Sequence, residues 1–243
     1  MSFLFVARAA CLSFVVVSTV TSLESVASAA FVNPLVPSWR GEAATSYLYW
    51  ESFTSALRGT NAPQTSTGVW SANLTNSLPG AVITGSGNMY GAGGAMAITV
   101  AGSGATDTMS AFVLNLSTAG SEIDYAGVTL ALTLASGAIE TVAFDAYEIR
   151  FINTIPGFGN QINVAYTWDL GEYATTSITD WNLNFAGSVA NLSLDAVSVD
   201  IQSVPTPGAI ALVAMIREIT DAVAIKDSKV GGKDFQSKQQ IKS

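Results

Sequence analysis

No histidine occurs in this chain, and its one cysteine is Cys11. Together these facts remove most side-chain chemistry. A Ser-His-Asp or Cys-His nucleophile cannot be assembled, and neither can a zinc site built from the usual imidazole and thiolate ligands. Gly91-Ala92-Gly93-Gly94 lacks the following lysine and helix of a phosphate-binding loop and reads as a turn. Carboxylates remain. Glycoside hydrolysis needs two facing acids, one of them held protonated. Glu51, Glu122, Asp124, Glu140, Asp145, Glu148, Asp169 and Glu172 are present, but nothing in their spacing selects a pair. Calcium takes several oxygen ligands from carboxylates and loop carbonyls. Glu122-Ile123-Asp124 and Asp195 with Asp200 are the places to look, although no Asp-x-Asp-x-Asp-Gly loop is present.

The five tryptophans, Trp39, Trp50, Trp70, Trp168 and Trp181, are the other chemical resource. An indole face packs well against the C–H surface of a sugar ring, but large aromatics are on average buried. Trp181 alternates with Leu183 and Phe185 and reads as core. Trp70 and Trp168 fall near expected loops and are the carbohydrate-platform candidates.

Strands must position these groups. Val128-Thr129-Leu130-Ala131-Leu132-Thr133-Leu134 alternates large apolar residues with small or polar ones, the period of a half-buried strand. Trp181 to Phe185 does the same with an asparagine face. Tyr47 to Phe53, Ala95 to Val100, Ala111 to Leu116, Thr141 to Tyr147 and Ile162 to Trp168 are further strands. Gly, Asn, Ser and Pro clusters separate them. Near the end, Leu192 and Leu194 are apolar at even positions, and Val197, Val199 and Ile201 at odd ones. A one-residue bulge at Asp195-Ala196 keeps both sets facing the core. Short strands at near-regular spacing predict an all-β antiparallel sandwich, jelly-roll-like, over residues 31–203.

The flanks differ from this body. Residues 1–30 read as a signal peptide: Arg8 is the basic region, Ala9 to Val20 the apolar one, and Ala27-Ser28-Ala29 the cleavage signal, with cutting after Ala29 or Ala30. Between Phe31 and Ser203 there are three arginines, no lysine and thirteen acids, a net charge of −10. Such a body repels phosphate backbones, which excludes nucleic acid as a partner, and suits solubility outside the cell or affinity for cations. All five lysines lie between Lys226 and Lys242. A short amphipathic helix through Ile216, Ile219 and Val223 and a loose polar tail over 217–243 are expected there.

Val204-Pro205-Thr206-Pro207-Gly208-Ala209-Ile210-Ala211-Leu212 resembles the start of the PEP-CTERM sorting signal of Gram-negative bacteria. In that family a Val-Pro-x-Pro motif leads into a membrane helix and an arginine cluster, and an exosortase-type enzyme processes it. Here the motif region is 204–216. Its apolar part, Ala209 to Ile216, would span about 12 Å as a helix, short of a bilayer core. Arg217 is followed by Glu218 rather than by more arginines, so the anchor reads as degenerate or truncated. Leu194-Asp195-Ala196-Val197-Ser198-Val199 is also similar to the last strand of such proteins and of jelly-roll carbohydrate-binding modules. The second resemblance implies Asp195 as a calcium ligand, with Glu51 as its early partner. Together these readings point to an exported, non-enzymatic protein of the cell surface or exopolysaccharide matrix with a structural or adhesive role. The alternatives are a calcium-supported carbohydrate-binding module and, after it, a carboxylate-based glycan hydrolase or lyase.

Overall fold

A computed structural model describes residues 31–204. The leader, Pro205 to Gly208 of the sorting motif, the expected C-terminal helix and the lysine-rich tail lie outside the described residues. The body consists of thirteen strands: β1 (Thr45–Trp50), β2 (Thr65–Thr67), β3 (Trp70–Asn76), β4 (Val82–Ile83), β5 (Met89–Tyr90), β6 (Ala97–Asp107), β7 (Ala111–Gly120), β8 (Thr129–Leu134), β9 (Ile139–Val142), β10 (Ala146–Ile155), β11 (Gly159–Asp169), β12 (Ile178–Ala186) and β13 (Leu192–Gln202). They form two antiparallel sheets, in the expected all-β sandwich. The larger runs β10-β11-β7-β13-β1-β2, with the β4–β5 hairpin attached to β13; the smaller runs β3-β6-β12-β8-β9.

Alternation along the strands builds the core. In β1, Leu48 and Trp50 point inward while Tyr47 and Tyr49 face out. Leu114, Leu116, Val164, Tyr166, Val197 and Val199 from the larger sheet meet Leu74, Val100, Leu130, Leu132, Leu183 and Phe185 from the smaller. Phe112 joins the layers, standing edge-on to Trp168 at 5.5 Å and to Trp181 at 5.2 Å between ring centres. Fully burying one such side chain stabilises the fold by about 1.5–3 kcal/mol. Gly102 lies directly opposite Trp181 across β6 and β12, and a Cβ there would come within 1.9 Å of the indole. The close approach of this large ring therefore requires glycine.

The bulge expected in β13 is present, where the pairing with β7 shifts between Leu194 and Ala196. It returns Leu192, Leu194, Val197, Val199 and Ile201 to one buried face. The expected strand from Thr141 to Tyr147 is corrected. It straddles the crossing from β9, at the edge of one sheet, to β10, at the edge of the other. Most of β10 is exposed on both faces, so no alternation marks it. β3 was not foreseen, although Trp70, Ala72 and Leu74 carry the signal: they are buried, with exposed Ser71 and Asn73 between them.

The outward face of the larger sheet is polar and yet buried. Asn115, Ser117, Asn163, Ser198 and Asp200 are all 1% exposed or less. Residues 31–40 cover them as a strap. The Val32 amide donates to Asn163 Oδ1 and the Leu35 amide to Asn115 Oδ1, both at 2.7 Å, and Asn115 Nδ2 donates back to the Leu35 carbonyl at 3.1 Å. Asn163 donates on to Ser117, and Asn115 to Ser198. Each side-chain amide thus acts as both donor and acceptor, which is how a polar group tolerates burial.

Candidate functional site

The strap ends in a tight turn, with the Arg40 amide donating to the Pro37 carbonyl and the Glu42 amide to that of Trp39. Arg40 locks this turn to the sheet. Its Nε and Nη2 donate to the two oxygens of Asp200, the Nη2 bond measuring 2.7 Å, and its guanidinium lies 4.2 Å from the centre of the Tyr47 ring. Asp200 is wholly buried on β13. Burial pushes its carboxyl up, and Arg40 pulls it back. A bidentate, stacked arginine is the side chain best suited to such a place.

This lock fixes Trp39 on the wall of a shallow, open cleft of about 580 Å³. Leu35, Pro37, Ser38 and Trp39 form one wall. The start of β7 (Ala111 to Val113), the end of β11 (Thr167 to Asp169) and Asp145 complete the lining. Trp39 is partly exposed, and Asp145 and Asp169 are exposed. The two aspartates, 24 residues apart, are brought together by a hydrogen bond of 2.5 Å from the Asp169 amide to Asp145 Oδ2. Asp169 Oδ1 accepts from the Gly171 amide at 2.9 Å, at the first residue of the 3-10 turn Gly171–Tyr173. Each carboxylate thus uses one oxygen on backbone, and the other can accept from a ligand. The chemistry on offer is an aromatic surface flanked by hydrogen-bond acceptors, with no cationic side chain among the lining residues.

The tryptophans expected to serve as platforms are corrected. Trp70 and Trp168 are each 1% exposed and belong to the core. Trp70 is an inward residue of β3, and Trp168 Nε1 donates to the Val142 carbonyl beneath the β9–β10 crossing. Trp50 and Trp181 are fully buried too, so Trp39 is the partly exposed member of the five. Its signal in the sequence was its place outside any alternating run, beside Pro37 and Ser38.

The acids proposed for calcium are distributed differently. Asp195 sits at the β13 bulge, where its Oδ1 accepts from Asn88 Nδ2 at 2.6 Å and from Ser193 Oγ at 2.8 Å. Burial pushes its pKa up to about 6, and the Ser193 hydroxyl opposes the shift. Glu51 lies one residue beyond the last β1–β13 pair and accepts from Tyr49 Oη at 2.8 Å. Among the described residues no three acids gather at one place, so a calcium ion at Asp195 or Glu51 would draw most of its six to eight oxygens from carbonyls and water. Asp200 is paired with Arg40 and is not free to act as a ligand. Glu122 and Asp124 line a second cleft of about 660 Å³, where Asp124 Oδ1 caps the 3-10 turn Tyr125–Gly127 through the Gly127 amide. No family model matches this chain, and no curated protein matches it.

Proposed function

We propose that this is an exported, non-catalytic protein of the cell surface or exopolysaccharide matrix of a Gram-negative bacterium, with a structural or adhesive role. In this reading an exosortase-type enzyme acts on Val204-Pro205-Thr206-Pro207-Gly208. The observation that carries the reading is where Val204 stands. All thirteen strands are complete before it, and the Ser203 amide donates to the Ala44 carbonyl at 2.8 Å to close the last pairing. Val204 exchanges hydrogen bonds with the Thr108 hydroxyl and is 36% exposed. In this reading the processing enzyme acts just past the end of β13. The net charge of −10 on residues 31–203 keeps such a body soluble outside the cell.

Intact-mass spectrometry and fractionation of the protein from a Gram-negative host with an exosortase test this. Loss of the first 29 or 30 residues, trimming near Pro207 and recovery from the surface or matrix fraction are expected. Retention in the cytoplasm with residues 1–30 intact refutes the proposal. Pro205→Ala with Pro207→Ala is expected to abolish trimming while leaving leader removal unchanged.

A further inference from the structure

Resting on the adhesive reading, the cleft beneath the strap carries a more specific assignment. We infer that it is a saccharide-binding site with Trp39 as its platform and Asp145 and Asp169 as its hydroxyl acceptors, selective for neutral or amine-bearing sugars over uronates.

Position is the first support. Four tryptophans lie in the core, while the fifth stands partly exposed on the wall of a cleft. Leaving a large aromatic in water forgoes its burial, yet this one is held in a fixed turn by Pro37 and by the Arg40–Asp200 lock. An indole so held binds a ring at little cost in lost side-chain freedom.

Acceptor geometry is the second. Asp145 Oδ2 and Asp169 Oδ1 are taken by the Asp169 and Gly171 amides. Those bonds orient both carboxylates, and Asp145 Oδ1 and Asp169 Oδ2 are left to accept from a ligand. Sugar hydroxyls and ammonium groups are donors of the matching kind. A uronate would bring a third negative charge into a cleft whose lining residues include no cation.

Isothermal titration of the chain lacking residues 1–30 tests the assignment. The probes are a soluble neutral glucan oligomer, a partly acetylated glucosamine oligomer, a polyuronate oligomer and choline chloride. The two uncharged or cationic saccharides are expected to bind at least about tenfold more tightly than the polyuronate. Trp39→Ala is expected to weaken them about tenfold or more, with an unchanged circular dichroism spectrum. Asp169→Asn, which retains an oxygen for the Gly171 amide, is expected to weaken the glucosamine oligomer more than the glucan. Failure of both saccharides to bind, or equal binding by a folded Trp39→Ala variant, overturns the assignment. So does choline binding that displaces the sugars, which would make the cleft a quaternary-amine box. These outcomes are independent of the fractionation experiment, so the site can fail while the export proposal stands.

Discussion

Replacing Asp195 by asparagine should make this protein more stable at neutral pH and slightly less stable, by up to about 1 kcal/mol, near pH 4. Its carboxyl lies at the β13 bulge with a pKa of about 6 against an ordinary 3.8, because burial disfavours the charge. A raised carboxylate pKa means that the folded state holds this proton more tightly than the unfolded chain does. The stabilising contribution is full below about 3.8 and is lost as pH rises through about 6. At about 1.4 kcal/mol per pH unit, the loss above pH 6 is of the order of 3 kcal/mol. Both hydrogen bonds to Asp195 end on Oδ1. An asparagine keeps that acceptor and places an uncharged amide where Oδ2 stood, at a cost of about 1 kcal/mol if the amide finds no acceptor. The net expectation for Asp195→Asn is a gain of about 2 kcal/mol at pH 7.5. Urea unfolding followed by tryptophan fluorescence at pH 4, 5, 6 and 7.5 reads it directly. Other titrating groups affect both proteins alike, so the difference between the two curves isolates this residue. A difference that does not change with pH refutes the reasoning. If Asp195 does hold a cation, added calcium will stabilise the parent at pH 7.5 and not the variant.

Arg40→Ala strips the buried Asp200 of its partner and should destabilise the protein by about 3–5 kcal/mol in urea unfolding. Asp200→Asn added to it should recover part of that loss. Gly102→Ala forces a methyl into the Trp181 indole and should cost about 1–3 kcal/mol, seen as a lowered Tm. Trp168→Ala removes a core ring and should cost about 3–5 kcal/mol. Trp39→Ala should cost much less in the same melt, since its ring is partly exposed. Equal losses for the two tryptophans would contradict the placement of Trp39 on the cleft wall.

The strand content, the sandwich and the β13 bulge follow from the sequence alone because alternation is a local property. Parity along Leu192 to Ile201 records which side chains face inward, and a change of parity can be absorbed only by an extra residue. Exclusion of histidine chemistry and of any site that needs two thiols follows from composition in the same way. Alternation does not say what covers the other face. Asn115, Asn163 and Asp200 are polar and carry no sequence mark of burial, yet tertiary folding buries them beneath residues 31–40. Trp70 and Trp168 stand near loops along the chain but inside the core in space, while Trp39, outside any alternating run, is the partly exposed one. Arg40 meets Asp200 across 160 residues, and Asp145 meets Asp169 across 24. Contacts between residues so far apart leave no periodicity for a sequence to display. Only the packing of the two sheets and the strap over them decides which charges pair, which aromatics are buried and where a cleft opens.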